Sequence, residues 1–323
     1  MPNSSDIRLL REDEFSIWDT LVAISPQGSV FCYSWWLKEV TGHFHVLGYF
    51  ENGILVAGMP LFFKRRFFLS LLTMPKLTQT WGVLIEPLSG KKVKVASKEM
   101  EILRVFADEL SKYPIFIQSF HPTLQNWLPF YWRGFKQMSR FTYLLDDLTD
   151  LDRVMKEFRE NIRTDIRKAQ KRGIFVEQAS VSQAYPIFKK SFDRQQIKLP
   201  YTREYLCGLY TATKKHDAGE CFVAKDSAGN INASAFMVWD RQRAYYLVGG
   251  GDPDLRNSGA TSLLIWNLIQ FAAGRTQSFD FEGSVIEPIE RFFRAFGARQ
   301  VVYNSIYRLP KTLELIKVLT DYR

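Results

Sequence analysis

Cysteine is scarce in this chain of 323 residues: Cys32, Cys207 and Cys221 are odd in number, far apart and without C-x-x-C spacing. That excludes a disulfide framework, argues against a zinc site and fits a reducing compartment, so a cytoplasmic protein is expected. Of the four histidines, His43 and His45 lie two apart, but no third ligand follows in step and no H-E-x-x-H occurs. No metal is expected. Long apolar runs are missing as well. The two longest, 54–63 and 67–74, are each about half of the ~20 residues that span a bilayer, and Lys64, Arg65 and Arg66 separate them. The opening MPNSSDIRLLREDEF has no basic region followed by an apolar stretch, so no secretory signal is expected. No Gly-Lys-Ser/Thr occurs, which excludes a P-loop, and no Ser/His/Asp or Cys/His set stands out.

What is present is core-forming material and positive charge. At 46% hydrophobic and 15% aromatic, the chain can bury a large core, and its length suggests two domains. The net charge is +9. Residues 1–150 hold 16 Lys+Arg and 15 Asp+Glu, whereas residues 151–323 hold 27 and 19. The second half therefore points to an anionic partner: phosphate, nucleic acid or a membrane surface.

Periodicity predicts a helix over 34–41, a strand over 44–49, a turn at Asn52-Gly53 and a second strand over 54–63, with Pro60 marking an edge or bulge. A third strand over 67–74, a helix over 97–112, a strand over 115–120, a helix over 124–131 and a strand over 139–145 complete this half. The polar stretch 146–150 reads as a boundary, giving domains 1–147 and 148–323. One long helix follows over 151–172, then helices 184–192 and 205–213, strands 220–225, 231–239 and 243–249, helix 261–273, strand 278–281, helix 289–296 and strand 301–309. Segments 45–63 and 221–239 match in kind and order. A duplicated α/β (α+β) unit with mixed sheets is expected, antiparallel at first and parallel later.

Five features could carry chemistry. In Tyr245-Tyr246-Leu247-Val248-Gly249-Gly250-Gly251, followed by Arg256-Asn257-Ser258-Gly259-Ala260-Thr261, a strand breaks through glycines and restarts as a helix. Unpaired N–H groups and the helix dipole there suit an anion, with Arg256 as a fixed charge and Gly259 allowing close approach. The order R-x-x-G-x-T approximates the pyrophosphate loop of GNAT acyltransferases, with Thr261 where Gly or Ala is usual; it also fits an ordinary strand–loop–helix connection. The helix 153–172 carries eight Lys+Arg against Glu157, Glu160 and Asp165, and Arg159, Arg163 and Arg167 recur every four residues. That stripe is either a solvated face or a phosphate clamp. Asp280 and Glu282, two apart on a strand, should share a face. They either serve a substrate amine as ligand and general base or pair with Arg291 or Arg294. Lys38 follows Trp35 and Trp36 on a short helix and is free to reach a cleft. The run 62–68, in which Lys64, Arg65 and Arg66 interrupt phenylalanines, is a hairpin turn or a foot on an anionic membrane.

The segments FDFEGSVIEPIERFFRAFGARQVVYNSIYRLP (279–310) and RNSGATSLLIWNLIQFAA before it resemble the C-terminal half of Fem-type peptidoglycan-bridge aminoacyltransferases and of related BioF2-like proteins. VFCYSWWLKEVTG resembles their opening aromatic–lysine segment, and FRENIRTDIRKAQKRGI their basic helix. The resemblance implies two tandem GNAT-like domains and transfer of an acyl or aminoacyl group to an amine of a cell-envelope precursor. It implies no tightly bound cofactor, the donor being either aminoacyl-tRNA or acyl-CoA. Lys38, Arg163 and Arg167 would meet the acceptor's phosphates, and Arg256, Gly259, Ala260 and Thr261 would form the donor site, with Glu282 and Asp280 as catalytic candidates. Thr261 departs from the CoA pattern, and no heptad run provides a coiled-coil arm. An acyl-CoA-dependent N-acetyltransferase and a non-catalytic RNA- or envelope-precursor-binding protein are the rival readings.

Overall fold

The computed structural model describes residues 5–66 and 69–310. They fall into two compact α/β units, one made of 5–140 with 302–310 and the other of Phe141–Val301.

In the first unit, β1 (Ser5–Leu9), α1 (Phe15–Ile24) and α2 (Ser34–Thr41) precede the hairpin of β2 (His45–Glu51) and β3 (Ile54–Arg66). Its turn is the expected Asn-Gly pair: Asn52 and Gly53 hold φ of 51° and 81°, as a type I′ turn requires. β4 (Leu69–Thr73), β5 (Leu84–Ile85), α3 (Lys92–Leu110), β6 (Phe116–Ser119) and α4 (Leu128–Tyr131) follow. Phe67 and Phe68, placed by the sequence in a third strand and in an aromatic–basic run, lie outside the described residues. Pairing is antiparallel from β1 through β4 and parallel between β4 and β6. Phe106, Phe116, Phe120 and Phe130 fill the core beneath α3.

The chain then runs through β7 (Lys136–Leu145), α5 (Leu151–Glu157), α6 (Glu160–Lys171), β8 (Phe175–Ala179), α7 (Val181–Arg194) and α8 (Arg203–Lys215). β9 (Gly219–Lys225), β10 (Ile231–Trp239), β11 (Arg243–Gly251), α9 (Ala260–Ala273), β12 (Ser278–Asp280) and α10 (Glu287–Arg294) complete the second unit. β8 through β11 pair antiparallel, β11 and β12 parallel, and β12 antiparallel to β7. Neighbours on β10 face opposite ways: Ala235 and Met237 join the core under α6 and α9, while Ser234 donates to Ala184 O of α7. Helices thus cover both faces, which is why β10 and α9 are apolar almost throughout.

Three sequence expectations differ from this arrangement. Instead of dividing at 147/148, each sheet takes its last strand from the other half of the sequence. Leu144 and Leu145 pair with Asp280 and Phe279 of the second unit, and β13 (Arg299–Arg308) pairs with β6 of the first, Ser305 opposite Ser119. Residues 141–301 consequently hold 23 Lys+Arg against 20 Asp+Glu, so the +8 assigned to a second domain does not belong to it. The single helix over 151–172 is two, because Phe158 and Arg159 are extended. Burying the Phe158 ring against Trp266 and Phe296 contributes about 1.5–3 kcal/mol, more than the roughly 1 kcal/mol of a helical hydrogen bond, and Arg159 N–H finds Ala295 O instead. β1, α1, β5 and β8 have no counterpart among the expected elements. β8 is a half-exposed edge strand with little apolar alternation to announce it.

Candidate active site

The second unit opens between β11 and β12. These strands pair only at Arg243, Ala244 and Tyr245, opposite Ser278, Phe279 and Asp280. β12 ends there, while β11 runs on to Gly251 held by β10 alone. Leu247 is an extra residue in that span, since Phe236 faces Val248 and Met237 faces Tyr246, and such a bulge twists the strand away from its neighbour. Along this edge lies a cleft of about 360 Å³ lined by Tyr246, Gly249, Gly250, Gly251 and the start of α9, with Pro288, Ile289, Phe292 and Phe293 as its apolar side. In the first unit the corresponding gap beyond β4 and β6 is filled: Trp81, fully buried, bridges Phe120 and donates its indole N–H to Phe31 O at 2.9 Å.

Small residues keep the cleft open. A Cβ on Gly249 would stand 2.0 Å from Tyr246 Oη, so the tyrosine hydroxyl occupies the place of a side chain. Burial raises the Tyr246 pKa, which keeps the phenol protonated and able to donate. At the far end, α9 begins without a side-chain cap, and the N–H groups of Thr261 and Ser262 meet no acceptor among the described residues. Arg194 and Arg256 both line the cleft, and neither has a carboxylate partner among the described residues. Arg194, near the end of α7, carries no sequence signal that separates it from other surface arginines.

The four donor-site candidates divide. Arg256, Gly259 and Thr261 line the cleft, whereas Ala260 is buried in the core. Gly259 serves an internal contact: at φ 80°, its Cβ would lie 2.2 Å from the Asp165 carbonyl oxygen of α6.

Asp280 and Glu282 are also set apart, because the strand ends at Asp280 and Glu282 takes φ 59°, so the alternation that would align them stops. Asp280 is fully buried: Oδ1 accepts from Thr142 and from Glu282 N–H at 2.7 Å, and Oδ2 from Arg243 at 3.2 Å. It ties the end of β12 to β7 and β11. Arg291 and Arg294 pair within α10, with Glu287 and Glu290. Glu282 has an enclosed Oε1 with no hydrogen-bond partner. Burial, then the Asp280 charge, push its pKa well above the ordinary carboxylate range. Tyr201, whose pKa burial and the Glu282 charge raise, is among its neighbours, and Tyr246 acts on the same Tyr201. A left-handed, strained residue with an orphaned carboxyl has the marks of a functional group.

Of the acceptor candidates, Arg159 caps α6 from an extended backbone, so the three-arginine stripe is reduced to Arg163 and Arg167. Both close on Glu160, at 2.6 and 2.7 Å, and lower its pKa. Lys38 is an exposed residue of α2 in the first unit. No group of three His, Cys, Asp or Glu among the described residues could hold a metal ion, and no described helix is long and apolar enough to cross a membrane.

Residues 156–287 match the family model of an acetyltransferase (GNAT) domain. No curated protein matches the sequence. Among solved structures, FemX is 14% identical with a TM-score of 0.70, over 92% of this chain and 96% of that one. The C-terminal DUF2156 domain of an Agrobacterium fabrum protein assigned as a lysylphosphatidylglycerol synthetase is 12% identical, TM-score 0.56, over 95% of each chain. A tandem GNAT protein from the clavulanic acid biosynthesis pathway is 10% identical, TM-score 0.53, over 94% of this chain and 98% of that one. These likenesses show the tandem fold, and the second unit carries the match to the acetyltransferase (GNAT) domain.

Proposed function

We propose that the protein transfers an acyl or aminoacyl group, from acyl-CoA or aminoacyl-tRNA held in the second-unit cleft, to an amine of a cell-envelope precursor. The observation that carries this reading is the β11 edge left free beyond Tyr245. Alternate N–H groups along it point away from β10, ready for the amides of an extended donor and for the oxygen of a tetrahedral intermediate. The free N–H groups of α9 and the two unpaired arginines suit the donor's phosphate. Glu282 takes the proton of the substrate ammonium, the amine nitrogen bonds to the acyl carbon, and the carbon–sulfur or carbon–oxygen bond to the donor breaks. Tyr246 protonates the departing sulfur or oxygen and is restored by the second proton of the attacking nitrogen. Arg163 and Arg167 of the second unit remain candidates for the acceptor's phosphates, by exchanging Glu160 for them, and Lys38 of the first unit remains a separate candidate. The envelope acceptor is taken from the likeness to FemX and to the protein assigned as a lysylphosphatidylglycerol synthetase.

Titration with CoA and with charged tRNA should show micromolar binding of one of them, about −8 kcal/mol, and transfer assays should consume that donor only with an amine acceptor present. Binding of neither sinks the reading. Gly249→Ala, whose Cβ would displace the Tyr246 hydroxyl into the cleft, should weaken donor binding tenfold or more, about 1.4 kcal/mol, while the protein melts as the wild type does. Unchanged donor affinity in this variant would place the donor elsewhere.

A further inference from the structure

The first unit carries most of the surplus charge: residues 1–140 and 302–323 hold 20 Lys+Arg against 14 Asp+Glu. That charge is unevenly placed. Residues 110–145 include Lys112, Arg133, Lys136 and Arg140 and contain no Asp or Glu. In the middle of this stretch lies α4, a single turn with two unlike sides. Pro129 and Phe130 are buried, and the Phe130 ring meets Phe120 and Phe135 edge to face at 5.1 and 5.5 Å. Leu128, Tyr131 and Trp132, three and four residues apart, are 46%, 59% and 49% exposed. Trp132 keeps helical dihedrals just past α4 and so extends the row.

Single apolar side chains on a surface are ordinary, but three in one row, anchored from beneath, call for a partner. The charges beside them say which. Arg104 of α3 stands over the Trp132 ring, 5.8 Å from its centre, and has no carboxylate partner among the described residues. Arg133 follows Trp132 and donates to Asp108, the carboxylate that α3 brings to this face. Glu101, one turn before Arg104, is engaged by Lys98 at 3.2 Å. Lys136 is exposed. The balance at the row is therefore positive. Tryptophan and tyrosine settle where headgroups meet acyl chains, because each buries a flat body and keeps one polar atom wet. Leu128 gains by entering acyl chains and offers nothing to a nucleic-acid base.

We propose that the α4 face of the first unit docks on an anionic membrane surface. Leu128, Tyr131 and Trp132 enter the headgroup boundary, and Arg104, Arg133 and Lys136 meet lipid phosphates around them. This surface is distinct from the aromatic–basic run at 62–68, where the sequence alone allows a membrane foot. Docking here requires neither the donor cleft nor Glu282, so it stands or falls apart from the transfer reaction.

The test is co-sedimentation of the full chain with vesicles of phosphatidylcholine alone and of phosphatidylcholine mixed equally with phosphatidylglycerol. Wild type should bind the mixed vesicles roughly tenfold or more tightly than the neutral ones, and less tightly as salt rises. Tyr131→Ser/Trp132→Ser, which alters only exposed groups, should lose roughly tenfold or more on the mixed vesicles. Lys64→Gln/Arg65→Gln, at the 62–68 run, should bind as the wild type does. A second measurement does not depend on lost binding: brominated acyl chains should quench part of the wild-type tryptophan fluorescence, and Trp132→Phe should remove that part. No wild-type binding to mixed vesicles, unchanged binding in Tyr131→Ser/Trp132→Ser, quenching unaltered by Trp132→Phe, or a loss confined to Lys64→Gln/Arg65→Gln overturns the proposal. A wild-type dimer made monomeric by the serine changes, or RNA binding abolished by them, assigns the row to a second copy or to RNA and overturns it too.

Discussion

Glu282→Gln is expected to lower kcat by roughly two to three orders of magnitude, the share that a positioned base contributes, and to make the protein more stable at the same time. Both effects come from one carboxyl. Burial and the Asp280 charge raise its pKa, so the wild-type pH–rate profile should rise well above the ordinary glutamate range of about 4.3. That rising limb should vanish in the amide variant. For stability, the folded state binds this proton more tightly than the unfolded chain does. The group's contribution is therefore complete below the unfolded value and is lost as pH climbs toward the raised folded value. The amide escapes that loss. At pH 8 the variant should gain about 1 kcal/mol, some 2–4 °C in Tm for a domain of this size, and at pH 4 it should match the wild type. Steady-state kinetics across pH, with melting curves at the two ends, decide it: an intact rising limb in Glu282→Gln would remove Glu282 from the chemistry.

Gly259→Ala should cost the second unit about 4 kcal/mol or more, lowering its Tm by roughly 10 °C. Part of this is conformational, since a side chain at φ 80° costs about 1–2 kcal/mol. The rest is the Cβ placed 2.2 Å from the Asp165 carbonyl oxygen. A backbone atom cannot swing aside as a side-chain tip can. α6 and α9 would have to separate, opening the contact of Ile162, Ile166 and Ala169 with Ala260, Leu263 and Leu264. Gly173→Ala is the matched control. It has φ 72° and nothing within 4 Å of its Cβ, so only the conformational cost applies. Equal destabilisation in the two variants would show that the α6 contact carries no weight.

The sequence made the fold legible where a local pattern and the tertiary environment agree. Ile231–Trp239 and Ser34–Thr41 have the bounds their residues predict, and Asn52-Gly53 turns as that dipeptide should. It misled where long-range packing outweighed local preference. Phe158 breaks an otherwise continuous helical pattern because its ring is worth more in the core, and β13 looks like the end of the second unit until Ser305 is found beside Ser119. The 256–261 loop could be read from its glycine and the helix after it, and Glu282 from its place near the end of a buried strand. The differing surroundings of Asp280 and Glu282 could not, because they depend on where β12 stops and on Arg243, thirty-seven residues earlier in the chain. Arg194 becomes special only through the cleft it borders.

The Gly259 contact bears on how relatives of this chain are to be compared. A residue held by the Asp165 carbonyl is retained by any descendant that keeps α6 against α9, including one that has given up its reaction. The R-x-x-G-x-T signature then records ancestry of the fold. Glu282, strained and without a partner for one oxygen, has no such backbone contact to retain it and should vary sooner once selection for turnover ceased. If Glu282 is the base proposed above, the residue after Phe281 should differ between active and silent relatives, whereas the glycine should not.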